Sequence, residues 1–130
     1  MAARVAIMPI IDVTYGPGVD ATARRALADV LPESVSEAVA CPEEPYDGAL
    51  RGGDVILRFR PASAEDRFEL DVLIEVHSKW FASRAVDRQR RADDIHRDSA
   101  AVLPAGSHIG VYLRLPVAAW SETEEDPPST

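Results

Sequence analysis

The sequence predicts an α/β fold of the two-layer α+β kind: tandem βαβ units that form a four-stranded mixed sheet with two helices on one face. Three observations predict it. Four short runs rich in Val and Ile alternate between apolar and polar residues. A stretch with helical periodicity separates the first run from the second, and another separates the third from the fourth. The two halves also match each other. Ile11-Asp12-Val13-Thr14 aligns with Ile74-Glu75-Val76-His77 at an offset of 63 residues, and Val55–Phe59 aligns with Val111–Leu115 at an offset of 56. Two matched strands in the same order around a helix indicate a duplication.

The elements read in order as follows. Ala3–Thr14 is the first strand, closed by the turn Gly16-Pro17-Gly18. Asp20 caps a helix whose apolar positions are Ala23, Ala26, Leu27, Val30, Leu31, Val35, Ala38 and Val39. Pro32 lies inside it, so a kink or two shorter helices are expected. Residues 41–53 form a loop, and Asp54–Arg60 is the second strand, ended by Pro61. Arg67–His77 is the third strand. Ser83 caps a helix running to about Val102, with opposite charges at Asp87–Arg91, Arg90–Asp94 and Asp93–Arg97. His108–Leu115 is the fourth strand, ended by Pro116. Residues 1–120 thus read as one domain with halves at about 3–60 and 67–115, and 121–130 as a disordered acidic tail.

Each crossover joins parallel strands, and alternation assigns the faces. Ile11, Val13, Val55, Leu57, Phe59, Val72, Ile74, Val76, Ile109, Val111, Leu113 and Leu115 should face the helices as the core. The other face carries Ile10, Asp12, Thr14, Ile56, Arg58, Arg60, Leu73, Glu75, His77, Tyr112 and Arg114. It is either a solvated face with surface ion pairs or the inner wall of an oligomer.

Composition narrows the function. The net charge of −8 argues against nucleic acid, whose phosphates demand Lys and Arg. Half of that charge sits on Glu122, Glu124, Glu125 and Asp126, so the rest of the chain is mildly acidic. No apolar run is long enough to span a bilayer, and the first residues do not read as a secretory signal. No membrane partner and a cytoplasmic location are therefore expected. Cys41, the only cysteine, excludes an intramolecular disulfide and lies beside Glu43 and Glu44, which disfavour a thiolate. His77, His96 and His108 lack metal-site spacing, and the Gly pairs lack a nucleotide fingerprint, so no metal or cofactor is expected. Asp12, Glu75 and His77 share a sheet face and offer a carboxylate–histidine relay or an ordinary polar surface. The arginines from Arg84 to Arg97 alternate with aspartates, as on a solvated helix face. Trp80-Phe81 is a hydrophobic lid, or a plug for the end of the core or for a subunit contact.

Met8-Pro9-Ile10-Ile11-Asp12-Val13 resembles the opening of the tautomerase superfamily, which includes 5-carboxymethyl-2-hydroxymuconate isomerase and macrophage migration inhibitory factor. Leu115-Pro116 followed by Trp120 is similar to the family's strand-end pattern, and the doubled βαβ layout is that of its longer members. The resemblance covers roughly Met8 to Glu122. It implies a cofactor-independent keto–enol tautomerase or isomerase acting on a small 2-oxo or 2-hydroxy dienoate acid, assembled as a homotrimer. It implies that Pro9, as an amino-terminal proline, is the catalytic base, and that an arginine binds the substrate carboxylate. As written, Met8 precedes Pro9 and leaves its nitrogen an amide; a chain starting at Pro9 would free it. The family's arginine positions are taken here by Gly16–Val19, Asp54 and Ile109. Arg58, Arg60 and Arg114 remain the substrate-binding candidates, with Arg84 a further one, and Tyr112 and Trp120 as aromatic walls. Two alternatives stay open: a non-catalytic, oligomeric binding protein of the same fold, or a ferredoxin-like binding domain.

Overall fold

A computed structural model of the protein describes residues 9–44 and 55–123. The expected strand segment Ala3–Met8, most of the 41–53 loop and residues 124–130 of the acidic tail lie outside the described residues. The elements are β1 (Ile10–Tyr15), α1 (Ala21–Val39), β2 (Ile56–Pro61), β3 (Val72–His77), α2 (Ala82–Ala85), α3 (Arg88–Val102) and β4 (Ile109–Arg114).

The sheet order is β2-β1-β3-β4. β1 pairs parallel with β2, β3 pairs parallel with β4, and β1 pairs antiparallel with β3. Each crossover therefore joins immediate neighbours. A ferredoxin-like domain splits its βαβ units, so that alternative is excluded. Arg67–Asp71 is not part of β3: Asp71 is already tied off, donating its N–H to His108 O and accepting the Gly16 N–H.

The register confirms the duplication and corrects half of it. Ile11 partners Leu57, and Ile74 partners Val111. Leu57, rather than Val55, is thus the counterpart of Val111. Asp12 and Glu75 are counterparts in the repeat and also face each other across the β1–β3 pair. The pseudo-twofold axis that relates the halves passes through them.

The core lies on the expected face. Ile11, Val13, Val72, Ile74 and Val76 are fully buried, and Leu57, Phe59, Val111 and Leu113 pack against them. Leu115 is the exception. It lies beyond β4 and is only half-buried. Leu27, Leu31 and Val35 of α1 and Ile95 of α3 close the core from above.

The Asp20 carboxylate caps α1, accepting the Ala23 N–H at 2.9 Å. The helix then runs as one element through Pro32 and does not divide into two shorter helices. Pro32 removes one helical hydrogen bond, but the fully buried Leu27, Leu31 and Val35 around it anchor the helix to the sheet on both sides of the gap. The second helical stretch is divided where one helix was expected. Asp87 is non-helical at φ −123° and ψ 32° and separates α2 from α3. Ser83 caps neither helix; its hydroxyl donates to Glu43 Oε2 at 2.6 Å.

The carboxyl end of α1 has no basic residue in its last turn. Its orphan carbonyls are met by arginines from the other half of the chain. Arg91 Nη1 donates to Ala38 O at 2.9 Å and Ala40 O at 2.7 Å. Arg84 Nε donates to Val39 O, and its Nη1 to Lys79 O. Arg84 is wholly buried over the Phe81 ring, and buried Glu44 stands 3.7 Å away. These two arginines correct the reading of a solvated helix face. The remaining charges do lie outside: Arg90 pairs with Asp87 and Asp94, while Arg97 pairs with Asp94 and Asp98 rather than with Asp93. Asp87 also pairs with Arg91 at 2.6 Å, and Ser34 of α1 donates to Asp98 of α3.

Two outcomes follow for stability. Arg91→Met or Arg84→Met strips charge-assisted hydrogen bonds from buried carbonyls and should cost about 2–4 kcal/mol in urea unfolding. Arg90→Met, exposed on the same helix, should leave the midpoint unchanged. The two arginines beside Asp87 hold its carboxyl down to about 2. Its folded pKa is below the unfolded value of about 3.9, so its contribution is complete above that value and lost as pH falls through 2. Acid titration of stability should fall less steeply between about pH 4 and pH 2 in Asp87→Asn than in the native chain.

Candidate functional site

Pro9 is buried at the entrance to β1, and its carbonyl accepts the Ile56 N–H at 3.2 Å. Its nitrogen is bonded to Met8 in this sequence. Next to it, Ile10 faces His77, and Ser78 follows with its N–H on Arg114 O. Pro9 thus stands at the same end of the sheet as the carboxyl ends of β3 and β4.

The sheet face away from the helices carries the expected polar residues in rows. One row runs Arg58, Asp12, Glu75, Tyr112; the next runs Ile56, Ile10, His77, Arg114. Arg58 clamps Asp12 through both carboxylate oxygens, Nε at 2.7 Å and Nη2 at 3.0 Å. That contact raises the Arg58 pKa, first through the hydrogen bond and then through the charge. His77 Nε2 lies 3.8 Å from Asp12 Oδ2, too long for a hydrogen bond. Asp12, Glu75 and His77 are neighbours, but the structure gives no hydrogen-bonded relay among them. Arg60 donates weakly to Thr14 at 3.4 Å.

The substrate-binding candidates do not form one site within a chain. Arg58 and Arg60 are on β2, whereas Tyr112 and Arg114 are on β4. These strands are opposite edges of the sheet, three spacings or about 14 Å apart. Arg84 is also withdrawn from the role, being consumed by backbone carbonyls.

Tyr112 and Arg114 do line a groove of about 470 Å³ along the free edge of β4. Its other walls are Trp80, Ala85, Arg88 and the run from Leu113 to Pro116. Trp80 is half exposed at the groove, while Phe81 lies under the Arg84 guanidinium. Arg88 was not expected at a site. Its place three residues before the buried stripe Arg91, Ile95, Ser99 puts it at the rim of the helix, a signal present in the spacing. Trp120 is half-buried outside this lining, and its Nε1 has no hydrogen-bond partner among the described residues. A second hollow, of about 230 Å³, lies at the opposite end between the start of α1 and the turn before β4. Among the described residues no three His, Cys, Asp or Glu side chains converge as a metal site, and no helix is long and apolar enough to cross a membrane.

No protein-family model matches the chain, and neither does any curated protein sequence. Solved structures do match. A malonate semialdehyde decarboxylase from FG41 superposes with a TM-score of 0.61 at 18% identity, over 83% of each chain. A 5-carboxymethyl-2-hydroxymuconate delta-isomerase gives 0.53 at 16% identity, over 94% of this chain and 90% of the other. A fused 4-OT described as a symmetric trimer gives 0.55 at 15% identity, over 83% and 85%. The chain has the tautomerase fold. At these identities the likeness reaches the fold and no further.

Within the tautomerase fold, the Arg58–Asp12 clamp is an exposed contact. Its arginine side chain is 67% accessible. A double-mutant cycle with Arg58→Gln and Asp12→Asn, run by urea unfolding, should give a small coupling that vanishes in about 1 M salt.

Proposed function

We propose that the protein is a cofactor-independent keto–enol isomerase for a small 2-oxo or 2-hydroxy dienoate acid, acting as a homotrimer in a form whose chain begins at Pro9. One observation carries the reading: Pro9 is buried at the end of the sheet where β4 presents Arg114. A secondary amine there would be desolvated, which disfavours its charged form and brings it toward neutrality. It would take a proton from the carbon or hydroxyl next to the carbonyl and return it further along the conjugated chain. Arg114 would hold the carboxylate, and the Tyr112 hydroxyl would donate to the enolate oxygen. Within one chain, Pro9 and Arg114 are two strand spacings apart, about 10 Å. A trimer in which the β4 edge of one copy meets the start of β1 in the next would close that gap. The similar structures support the reading: their names describe a decarboxylase, an isomerase and a symmetric trimer on the same fold.

A second reading rests on the peptide bond between Met8 and Pro9. While that bond is present the nitrogen is not basic, and the protein is a non-catalytic oligomer of the same fold. Intact mass of the native protein separates the two. In the assay, the chain starting at Pro9 should turn over phenylenolpyruvate or 2-hydroxymuconate. Pro9→Ala should be slower by about 100-fold or more, the usual worth of a positioned base. The full chain should be inactive. Equal rates with and without the Pro9→Ala substitution would remove Pro9 from the mechanism.

A further inference from the structure

Lys79 is the only lysine among the 14 Lys and Arg residues of the chain. The distinction is chemical. A guanidinium stays protonated, whereas a lysine amine can give up its proton and attack carbon. The structure holds this residue firmly. The Ser78 N–H donates to Arg114 O and the Trp80 N–H to Pro116 O, each at 3.0 Å, which carries the β3–β4 pairing past His77. Between them, the Lys79 carbonyl accepts from the wholly buried Arg84 at 2.6 Å. Burial alternates through Val76, His77, Ser78 and Lys79, so Lys79 keeps to the open sheet face with His77.

Its surroundings suit a 2-oxo acid. Ile10 pairs with His77, so Pro9 stands opposite Ser78, and Lys79 is the next residue. Arg114 is the β4 partner of His77, two residues back and one strand over, about 8 Å from Lys79 along the backbone diagonal. Two long side chains span that gap. Neither Lys79 nor Arg114 makes an ion pair among the described residues. The nearby acids are engaged elsewhere: Asp12 is clamped by Arg58, and Glu44 stands beside Arg84. β3 is an inner strand, so the outer edge of β4 can be covered by another copy without closing this place. We propose that Lys79 captures the carbonyl of a 2-oxo acid as an imine while Arg114 of the same chain holds the carboxylate. The ammonium releases a proton to solvent, and the amine adds to the carbonyl carbon. The carbinolamine then expels the carbonyl oxygen as water and leaves a C=N bond. The step needs no free Pro9 nitrogen and ends in covalent binding rather than turnover, so it gives the full chain a ligand. It rests on the 2-oxo acid class proposed above and not on Pro9.

Reductive trapping tests it in the full chain. Pyruvate is the probe; borohydride reduces any imine to a secondary amine, which peptide mass mapping locates. The chain offers only Lys79 and its amino terminus as amines. Lys79 should be labelled about tenfold or more faster than Nα-acetyl-lysine at the same pH and pyruvate concentration, because a held carboxylate raises the local concentration of the carbonyl. Lys79→Arg keeps the charge and should leave only the amino terminus labelled. Arg114→Gln should return the Lys79 rate to that of Nα-acetyl-lysine. Labelling confined to the amino terminus, or Lys79 labelling no faster than that of Nα-acetyl-lysine, overturns the proposal. A fast rate that survives Arg114→Gln overturns the pairing with Arg114. Turnover by the chain starting at Pro9 is a separate measurement: its failure beside fast Lys79 labelling removes the isomerase and leaves the capture standing.

Discussion

Two arginines tie the end of the first half's helix to the second half. A helix end buried without partners for its last carbonyls is untenable, and α1 brings no cap of its own. Arg84 and Arg91 supply it from across the duplication. Because Arg84 also grips Lys79 O, the same contact fixes the stretch that leads from β3 to Trp80. Because Arg91 is steered by Asp87, the break between α2 and α3 becomes part of the cap rather than a flaw in a longer helix. The groove wall, the helix break and the end of α1 are therefore one construction.

Much of the fold was legible because a half-buried sheet writes a period of two into its strands. Ile11, Val13, Val72, Ile74 and Val76 announce the core by alternation alone, and Asp20 announces the start of α1. The open face was equally readable, down to the arginine of β2 that answers the acid of β1. What could not be read was pairing. Nothing in the sequence says that Arg58 and Arg114 end on opposite edges, since strand order is decided by tertiary contact. The buried role of Arg91 was half visible: it falls one turn before Ile95 and two before Ser99, on the apolar stripe. Charge composition concealed it, because an arginine that satisfies carbonyls looks in sequence like one that faces water.

The duplication is symmetric in its backbone and asymmetric in its chemistry. Asp12 and Glu75 sit on the pseudo-axis, like charges directly opposed, which alone would be unfavourable. The first half answers with Arg58, and the second half puts Tyr112 in the equivalent place. One edge of the sheet is thus closed by an ion pair, while the other keeps an aromatic ring next to Glu75 and a guanidinium that makes no ion pair among the described residues. That difference separates the chemistry of the two edges although their backbones repeat.

The cross-capping of α1 also sets an order of events on the ribosome. At roughly 5–20 residues per second, α1 is complete several seconds before Arg91 is made. For that interval the nascent first half has an unsatisfied helix end and an inner edge of β1 with no β3 to pair with. An open strand edge is a template for the wrong partner, including another nascent chain. Release of a truncated first half would therefore yield an aggregating fragment and not a smaller working unit. The first repeat takes both its helix cap and the partner for the inner edge of β1 from the second.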